Sequence, residues 1–360
     1  MKPISLKFDL LLFVVVTLLI FFGLLMIYDA SSVLAFNVFK DSYHFIKDQV
    51  IWVILGFAGL LIMSRFDYHK LFNLALPLLI FALIFLIIVF IPGIGIGAKG
   101  AHRWINLQFV SVQPAEFVKL VLALYLSAWF SSKEKGRLLA FALLIGAVLF
   151  LIMLEPDMGT AGIILFEAII IYFLSGGSMK QFLIGAPIIA IAGFILIKLE
   201  PYRAARLTSF LNVDKSLEGT SYHVKQVLIA LGNGGIFGLG TGNSLQKFAY
   251  LPENVTDSIF PIIAEEYGFI GAGLLIFGFI VIVWRGFHIA SHARDTFGKL
   301  LAAGITSFIG IQAVLNLGSM TALLPLTGVP LPFISYGGSA LLVDMAAIGI
   351  LLNISKQISR

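Results

Sequence analysis

A polytopic, all-α membrane helical bundle of about ten spans is the fold this sequence predicts, and three observations predict it. Apolar residues make up 59% of the 360, where soluble globular chains run at about 45–50%. Charged residues reach only 12%, roughly half the usual share, and the mean hydropathy is +1.02. The apolar residues also gather into runs of about 20, long enough to cross a bilayer as helices. Segments of alternating polarity, which a transmembrane β-barrel needs, do not occur. A soluble enzyme, a nucleic-acid reader and a disordered chain are thereby excluded. The chain has no cysteine, so disulfides and thiolate metal sites are excluded too.

The first run, near 10–28, follows a short basic stretch from Met1 to Lys7. It is long enough to span and other spans follow it, so it reads as a retained signal-anchor. Nine further runs lie near 46–64, 71–92, 114–130, 138–153, 159–175, 181–198, 258–284, 299–317 and 337–354. They form a single membrane domain over 1–360. Most connections are short, but a long loop of about 199–257 separates spans seven and eight. Within it, Ser221 to Gly232 has helical apolar spacing and is too short to cross, which predicts an interfacial or re-entrant helix.

The net charge of +5 carries orientation, because cytoplasmic loops retain Lys and Arg. With the N-terminus inside, one set of loops holds Lys2, Lys7, Arg65, Lys70, Lys133, Lys135, Arg137, Lys180, Arg285, Arg294, Lys299, Lys356 and Arg360. The short loops of the other side hold only Lys40, Lys47, Lys99 and Arg103. Thirteen against four predicts that both termini are cytoplasmic and that the long loop is extracytoplasmic.

Ionisable residues inside spans are expensive, so each is a functional candidate. Glu116 and Lys119 share a helical face in span four, as a binding pair or as an ion pair locking that span to a neighbour. Glu167 in span six and Asp344 in span ten stand alone, suited to helix packing or to a site. Asp257 opens span eight, with Glu265 and Glu266 below it. At a water–lipid boundary a carboxylate is wet enough to ionise and dry enough to serve as a base. An acid favoured by the helix dipole is the alternative. Pro261, four residues on, is expected to kink this span.

Glycine clusters at Gly93 to Trp104 and Gly232 to Ser244 flank extracytoplasmic loops. They are flexible turns, or places where backbone amides approach a phosphate. Arg103, Arg203, Arg206, Lys225 and Lys247 lie nearby on the side where cations are scarce, which points to an anionic ligand. Solvated surface charge is the plainer reading of any one of them. No HExxH pattern occurs, and Ser335 and Ser339 lack a His–Asp pairing, so neither a zinc protease nor a serine hydrolase is supported.

Eight segments then carry a resemblance, in this order: YDASSVLA, GAHRWINL, QPAEFVKL, EPDMGTAGI, PYRAARLTSFLN, GGIFGLGTGNSLQKFAYLPE, TDSIFPIIAEEYGFIGA and LTGVPLPFISYGGSALLV. Over almost its full length the chain resembles the SEDS family (shape, elongation, division and sporulation), the FtsW/RodA/SpoVE group of peptidoglycan glycosyltransferases. QKFAYLPE is closer to the FtsW branch. Departures exist: Val255 stands where the family commonly has His, Ser258 where Phe is usual, Glu155 where Gln is common, and Pro261 is unusual.

The resemblance implies an inverting hexosyltransferase in the cytoplasmic membrane, serving cell division or elongation. Its substrate is lipid II, an undecaprenyl-diphosphate-linked disaccharide-pentapeptide polymerised on the outer face. Asp257 occupies the family's essential acidic position and is the expected catalytic base. Arg103, Glu116, Lys119, Arg203, Arg206, Lys247, Glu265, Ser335 and Ser339 are the expected substrate-binding set. No resident cofactor is implied with certainty; a divalent cation, Mg2+ or Mn2+, suits the same charge-neutralising task, and its ligands are unassigned. The implied partner is a class B penicillin-binding protein transpeptidase. A lipid II flippase and a non-catalytic scaffold of the division machinery are the competing readings, and composition cannot separate the flippase from the polymerase.

Overall fold

The computed structural model describes residues 8–98, 101–106, 111–132, 137–211, 219–248 and 251–358. Lys2, Lys7, Lys99, Lys133, Lys135 and Arg360, used above for orientation, lie outside these, as do 212–218 and 249–250 of the long loop.

Each of the ten apolar runs is a helix. In order they are α1 (Leu10–Phe39), α2 (His44–Arg65), α3 (Tyr68–Ile88), α4 (Pro114–Ser131), α5 (Leu138–Leu154), α6 (Met158–Leu174) and α7 (Met179–Leu199). After α8 (Pro201–Leu211) and α9 (Gly219–Gly234) come α10 (Ile259–His292), α11 (Thr296–Ser319) and α12 (Gly338–Lys356). Among the described residues seven of these helices are long and apolar enough to cross a membrane: α1 to α4 and α10 to α12. A bent pair drawn from α7 and α8, turning by 100°, counts as an eighth if it is one span. α5 and α6 have 17 residues each, about 25 Å at 1.5 Å per residue, a little short of the ~30 Å hydrocarbon core.

Local chemistry sets the helix starts. Asp9, Asp67, Asp157 and Asp295 each accept a backbone N–H of the first turn of α1, α3, α6 and α11, satisfying a donor that no preceding carbonyl reaches. Pro114 opens α4 where its missing N–H costs nothing.

The described part of the long loop contains two helices. α9 covers the expected Ser221–Gly232 segment, and α8 adds a second short helix. The glycine cluster before α4 forms a small antiparallel sheet, β1 (Gly95–Ala98), β2 (Ala101–Asn106) and β3 (Ser111–Val112), in the order β1-β2-β3. Helical spacing could not reveal strands this short.

α10 breaks at a place the sequence did not suggest. Pro261 is the third residue of α10, among the amides that need no intrahelical acceptor, so it does not kink the span. The break comes at Gly268, with φ 66° and ψ −165°. The chain at 235–240 runs beside it: Leu239 N donates to Glu265 O and Gly240 N to Glu266 O, both at 3.0 Å, while Phe269 N donates to Gly235 O at 2.9 Å. A Cβ on Gly268 would lie 2.3 Å from Gly238 N, so only glycine permits this approach. Backbone groups freed by the break are thus paired within the protein, as a membrane setting requires.

α11 and α12 are the most enclosed helices, with 72% and 78% of their apolar windows buried, against 28% for α2, α3 and α10. α12 packs on α2, and α11 on α4, α6 and α10, leaving the outer helices to face lipid.

Candidate functional site

Asp257 sits in a turn between α9 and α10 that four separate elements hold in place. Asn254 Nδ2 donates to Ala30 O of α1 at 3.1 Å. Val255 O accepts from Tyr336 N, ahead of α12, at 3.0 Å. Ser258 Oγ lies 2.7 Å from His223 Nε2 of α9. Asp257 O accepts from Asn316 Nδ2 of α11 at 2.8 Å, and the same amide donates to Val329 O, also at 2.8 Å. The Asp257 side chain is mostly buried, and Thr256 Oγ1 lies 3.3 Å from its Oδ1. The backbone that carries this carboxylate is thus held from four sides.

Arg103, Arg203 and Arg206 come from β2 and α8, yet they line one cavity of about 220 Å3. Each guanidinium is held by backbone carbonyls. Arg103 donates to Glu155 O (2.8 Å) and to Pro156 O; Arg203 to Leu196 O (3.1 Å) and Met153 O (3.3 Å); Arg206 to Leu326 O (2.9 Å). Several of these carbonyls close the ends of α5 and α7, where helix dipoles are negative and favour cations. Partial charges of this kind orient the Arg103 and Arg203 guanidiniums through backbone carbonyls. Phe166, Ile197, Leu207, Leu315 and Leu324 supply apolar wall. Three arginines, outnumbering the one carboxylate of Asp157, beside apolar wall match an amphiphile with an anionic head.

Glu155, whose carbonyl holds Arg103, is fully buried, and neither carboxyl oxygen has a hydrogen-bond partner. Burial, and secondarily Asp157, push its pKa up to about 8 against the opposing pull of Arg103. Its neutral form is therefore the ordinary one near pH 7.

The other expected site residues have internal partners. Lys247 Nζ pairs with Asp29 at 2.9 Å and with Glu266 Oε1 at 3.2 Å. Glu265 accepts from Asn233 Nδ2 at 3.0 Å and from Ser244 Oγ. Glu116 and Lys119 pair at 2.8 Å, both fully enclosed, and Lys119 also reaches Gln312, whose amide donates to Pro330 O at 3.0 Å. Glu167 and Asp344 are buried within electrostatic reach of the same ammonium. Ser335 Oγ accepts from Leu331 N (2.9 Å) and Ser339 Oγ from Gln113 N (3.3 Å), stitching the segment before α12. Lys225 is exposed on α9.

The structure thus gathers Arg103, Arg203 and Arg206, and ties the Asp257 turn through Asn316 to the segment that Arg206 also grips. It puts Lys247, Glu265, Glu116, Lys119, Ser335 and Ser339 into the surrounding framework. Among the described residues no group of three or more His, Asp or Glu side chains is arranged to hold a metal ion, so no step is routed through one. Asn316 and His223 escaped sequence reasoning. Gln312 and Asn316, two amides one turn apart in an apolar span, were the available signal for the first.

The family model described as "Cell cycle protein", that of FtsW, RodA and SpoVE, matches residues 9–360. The chain belongs to the FtsW/RodA/SpoVE family. It is 39% identical to stage V sporulation protein E of Bacillus subtilis, over 97% of each chain. It is 41% identical to a probable peptidoglycan glycosyltransferase FtsW of Trichlorobacter lovleyi, over 98% of this chain and 95% of that one. Among solved structures it superposes with TM-score 0.81 and 26% identity on a chain of a peptidoglycan synthase complex described as coordinating polymerization and crosslinking, covering 97% and 98% of the two chains. The Thermus thermophilus rod shape determining protein RodA matches with TM-score 0.73 and 26% identity over 99% of this chain and all of that one. As a member of the FtsW/RodA/SpoVE family the chain is a multi-pass membrane protein. Its departure at Val255 is local: that side chain is buried, while a histidine, His223, meets the neighbouring Ser258 from another helix.

Proposed function

We propose that this chain is a peptidoglycan glycosyltransferase that polymerises lipid II on the outer face of the cytoplasmic membrane, both of its termini being cytoplasmic. One observation carries the reading: the Asn316 amide joins the Asp257 turn to the segment bordering the three-arginine cavity. A base and an anion site held in one frame are what this reaction needs. Asp257 takes the proton from the C4 hydroxyl of one substrate as that oxygen bonds to the anomeric carbon of the other. The bond from that carbon to the diphosphate oxygen breaks, the configuration inverts, and undecaprenyl diphosphate leaves. Arg103, Arg203 and Arg206 offset its growing negative charge, so a second carboxylic acid is not required. A class B penicillin-binding protein is the proposed transpeptidase partner, in line with the crosslinking activity of the similar synthase complex.

Glycan-strand formation from purified lipid II in detergent, with that partner carrying an inactivated transpeptidase centre, tests this. Asp257→Asn keeps shape and hydrogen bonding but not basicity, and its expected loss is about 10²-fold or more. Full polymerisation by the Asn variant would remove Asp257 from the mechanism. No polymer from the wild-type complex, beside lipid II translocation in vesicles, would make the protein a flippase.

A further inference from the structure

The Asp257 turn has a second neighbourhood, reached by other bonds than those leading to the arginines. Asn254 is tied to Ala30 O, and Lys247 to the Asp29 carboxylate, which places the outer end of α1 beside the turn. Tyr336, bonded to Val255 O, sends its hydroxyl to Asp48 Oδ2 of α2 at 2.6 Å and packs its ring edge-on against Phe45. The turn that carries Asp257 is therefore tied to α1 at Ala30 and, through Tyr336, to the first part of α2.

Tyr28 of α1 and Tyr43, the residue before α2, stack with ring centroids 5.4 Å apart and planes 11° from parallel. They are 37% and 53% exposed, so the pair is open to an external ligand. Asp41 fixes the turn under Tyr43 by accepting its N–H at 3.0 Å. An open depression of about 350 Å3 beside the rings is lined by Tyr28, Ser32, Val33, Phe36 and Ser42. A flat aromatic face bordered by hydroxyls suits one class of ligand. A pyranose ring presents C–H groups on its face, which an aromatic quadrupole attracts, and hydroxyls at its rim, which serines can bond.

We propose that the Tyr28–Tyr43 shelf is a saccharide subsite that holds the glycan chain while Asp257 and the arginine cavity handle the reacting ends. The proposal rests on the polymerase reading for its biological ligand. A polymerase must keep the chain after each addition, and a carbohydrate shelf on the two helices tied to the Asp257 turn does so without touching the diphosphate.

The probe is a hexamer of β-1,4-linked N-acetylglucosamine, titrated onto the full-length protein in nanodiscs and followed by saturation-transfer NMR. Ring protons of the hexamer should receive saturation from the wild type and from Tyr28→Trp. Tyr28→Ala and Tyr43→Ala should bind it about tenfold more weakly, a loss of about 1.4 kcal/mol, of the order of one ring stack. With lipid II and the partner, the two Ala variants should also make shorter strands. A cysteine label at Ser42 in the otherwise cysteine-free chain reads hexamer binding independently of the tyrosine variants. Equal binding by wild type and both Ala variants, or a Ser42 label that responds to lipid headgroups and not to the hexamer, would overturn the proposal and leave the tyrosines as an interfacial aromatic belt. Hexamer binding that depends on the tyrosines, beside a wild-type complex that makes no polymer, would sink the polymerase reading and leave the saccharide site standing.

Discussion

Asn316 gives the sharpest test of how the site is held. Its side-chain nitrogen donates two hydrogen bonds of 2.8 Å, to Asp257 O and Val329 O, and the residue is fully buried. Two carbonyl acceptors fix which way the amide points, since only the NH2 can face both. Asn316→Ala removes two bonds worth roughly 0.5–1.5 kcal/mol each, so the expected destabilisation is about 1–3 kcal/mol. The functional loss should be larger than stability alone explains, because the Asp257 turn then loses its tie to the arginine side of the site. Asn316→Asp sharpens the point: it keeps the shape but turns a donor toward both carbonyls into an acceptor. It should be at least as damaging as Ala, although it is the closer isostere. The assays are thermal unfolding in detergent and the rate of strand formation from lipid II by the partner complex. Near wild-type rates in both variants, or an Asp variant that outperforms Ala, would refute the idea that this amide positions the base.

Three further outcomes are expected. Arg203→Ala and Arg206→Ala should each weaken turnover by roughly 1.5–3 kcal/mol of lost charge-assisted contact, read as kcat/KM; unchanged kinetics in both would return these arginines to a purely structural role. Glu155, with its pKa raised to about 8 by burial, binds its proton more tightly folded than unfolded, so its stabilising contribution is full below the ordinary carboxylate range and is lost as pH rises toward 8. Thermal stability should thus fall over that window, by at most about 5 kcal/mol at 1.36 kcal/mol per unit, and Glu155→Gln should flatten the fall; identical pH profiles would refute this. In intact spheroplasts an impermeant thiol reagent should label Glu253→Cys and not Ser132→Cys, since the chain has no native cysteine; the reverse pattern would invert the orientation and move the site to the cytoplasmic face.

What the sequence determined by itself follows from hydrophobic length and charge. The bilayer rewards runs of about 20 apolar residues whatever their neighbours do, so α1 to α7 and α10 to α12 were legible one at a time. Asp257 could be proposed from its place at the mouth of a span, and the arginines from their sign on the side expected to be poor in cations. Tertiary structure decided everything that depends on which residues meet. Arg103, Arg203 and Arg206 share a cavity, whereas Lys247, of the same sign and in the same loop, is taken by Asp29 and Glu266; charge alone could not sort them. The break in α10 falls at Gly268 and not near Pro261 because a missing amide costs nothing in the first turn, while a distant strand of chain has to pass where only glycine leaves room. Asn316 looks like an ordinary polar residue until folding puts its amide on Asp257 O, and Tyr28 like an ordinary interfacial aromatic until folding stacks it on Tyr43. Hydrophobic burial reads composition over one stretch of chain, but a site is made of hydrogen bonds and charges between residues tens to hundreds of positions apart, and only the packed bundle sets those distances.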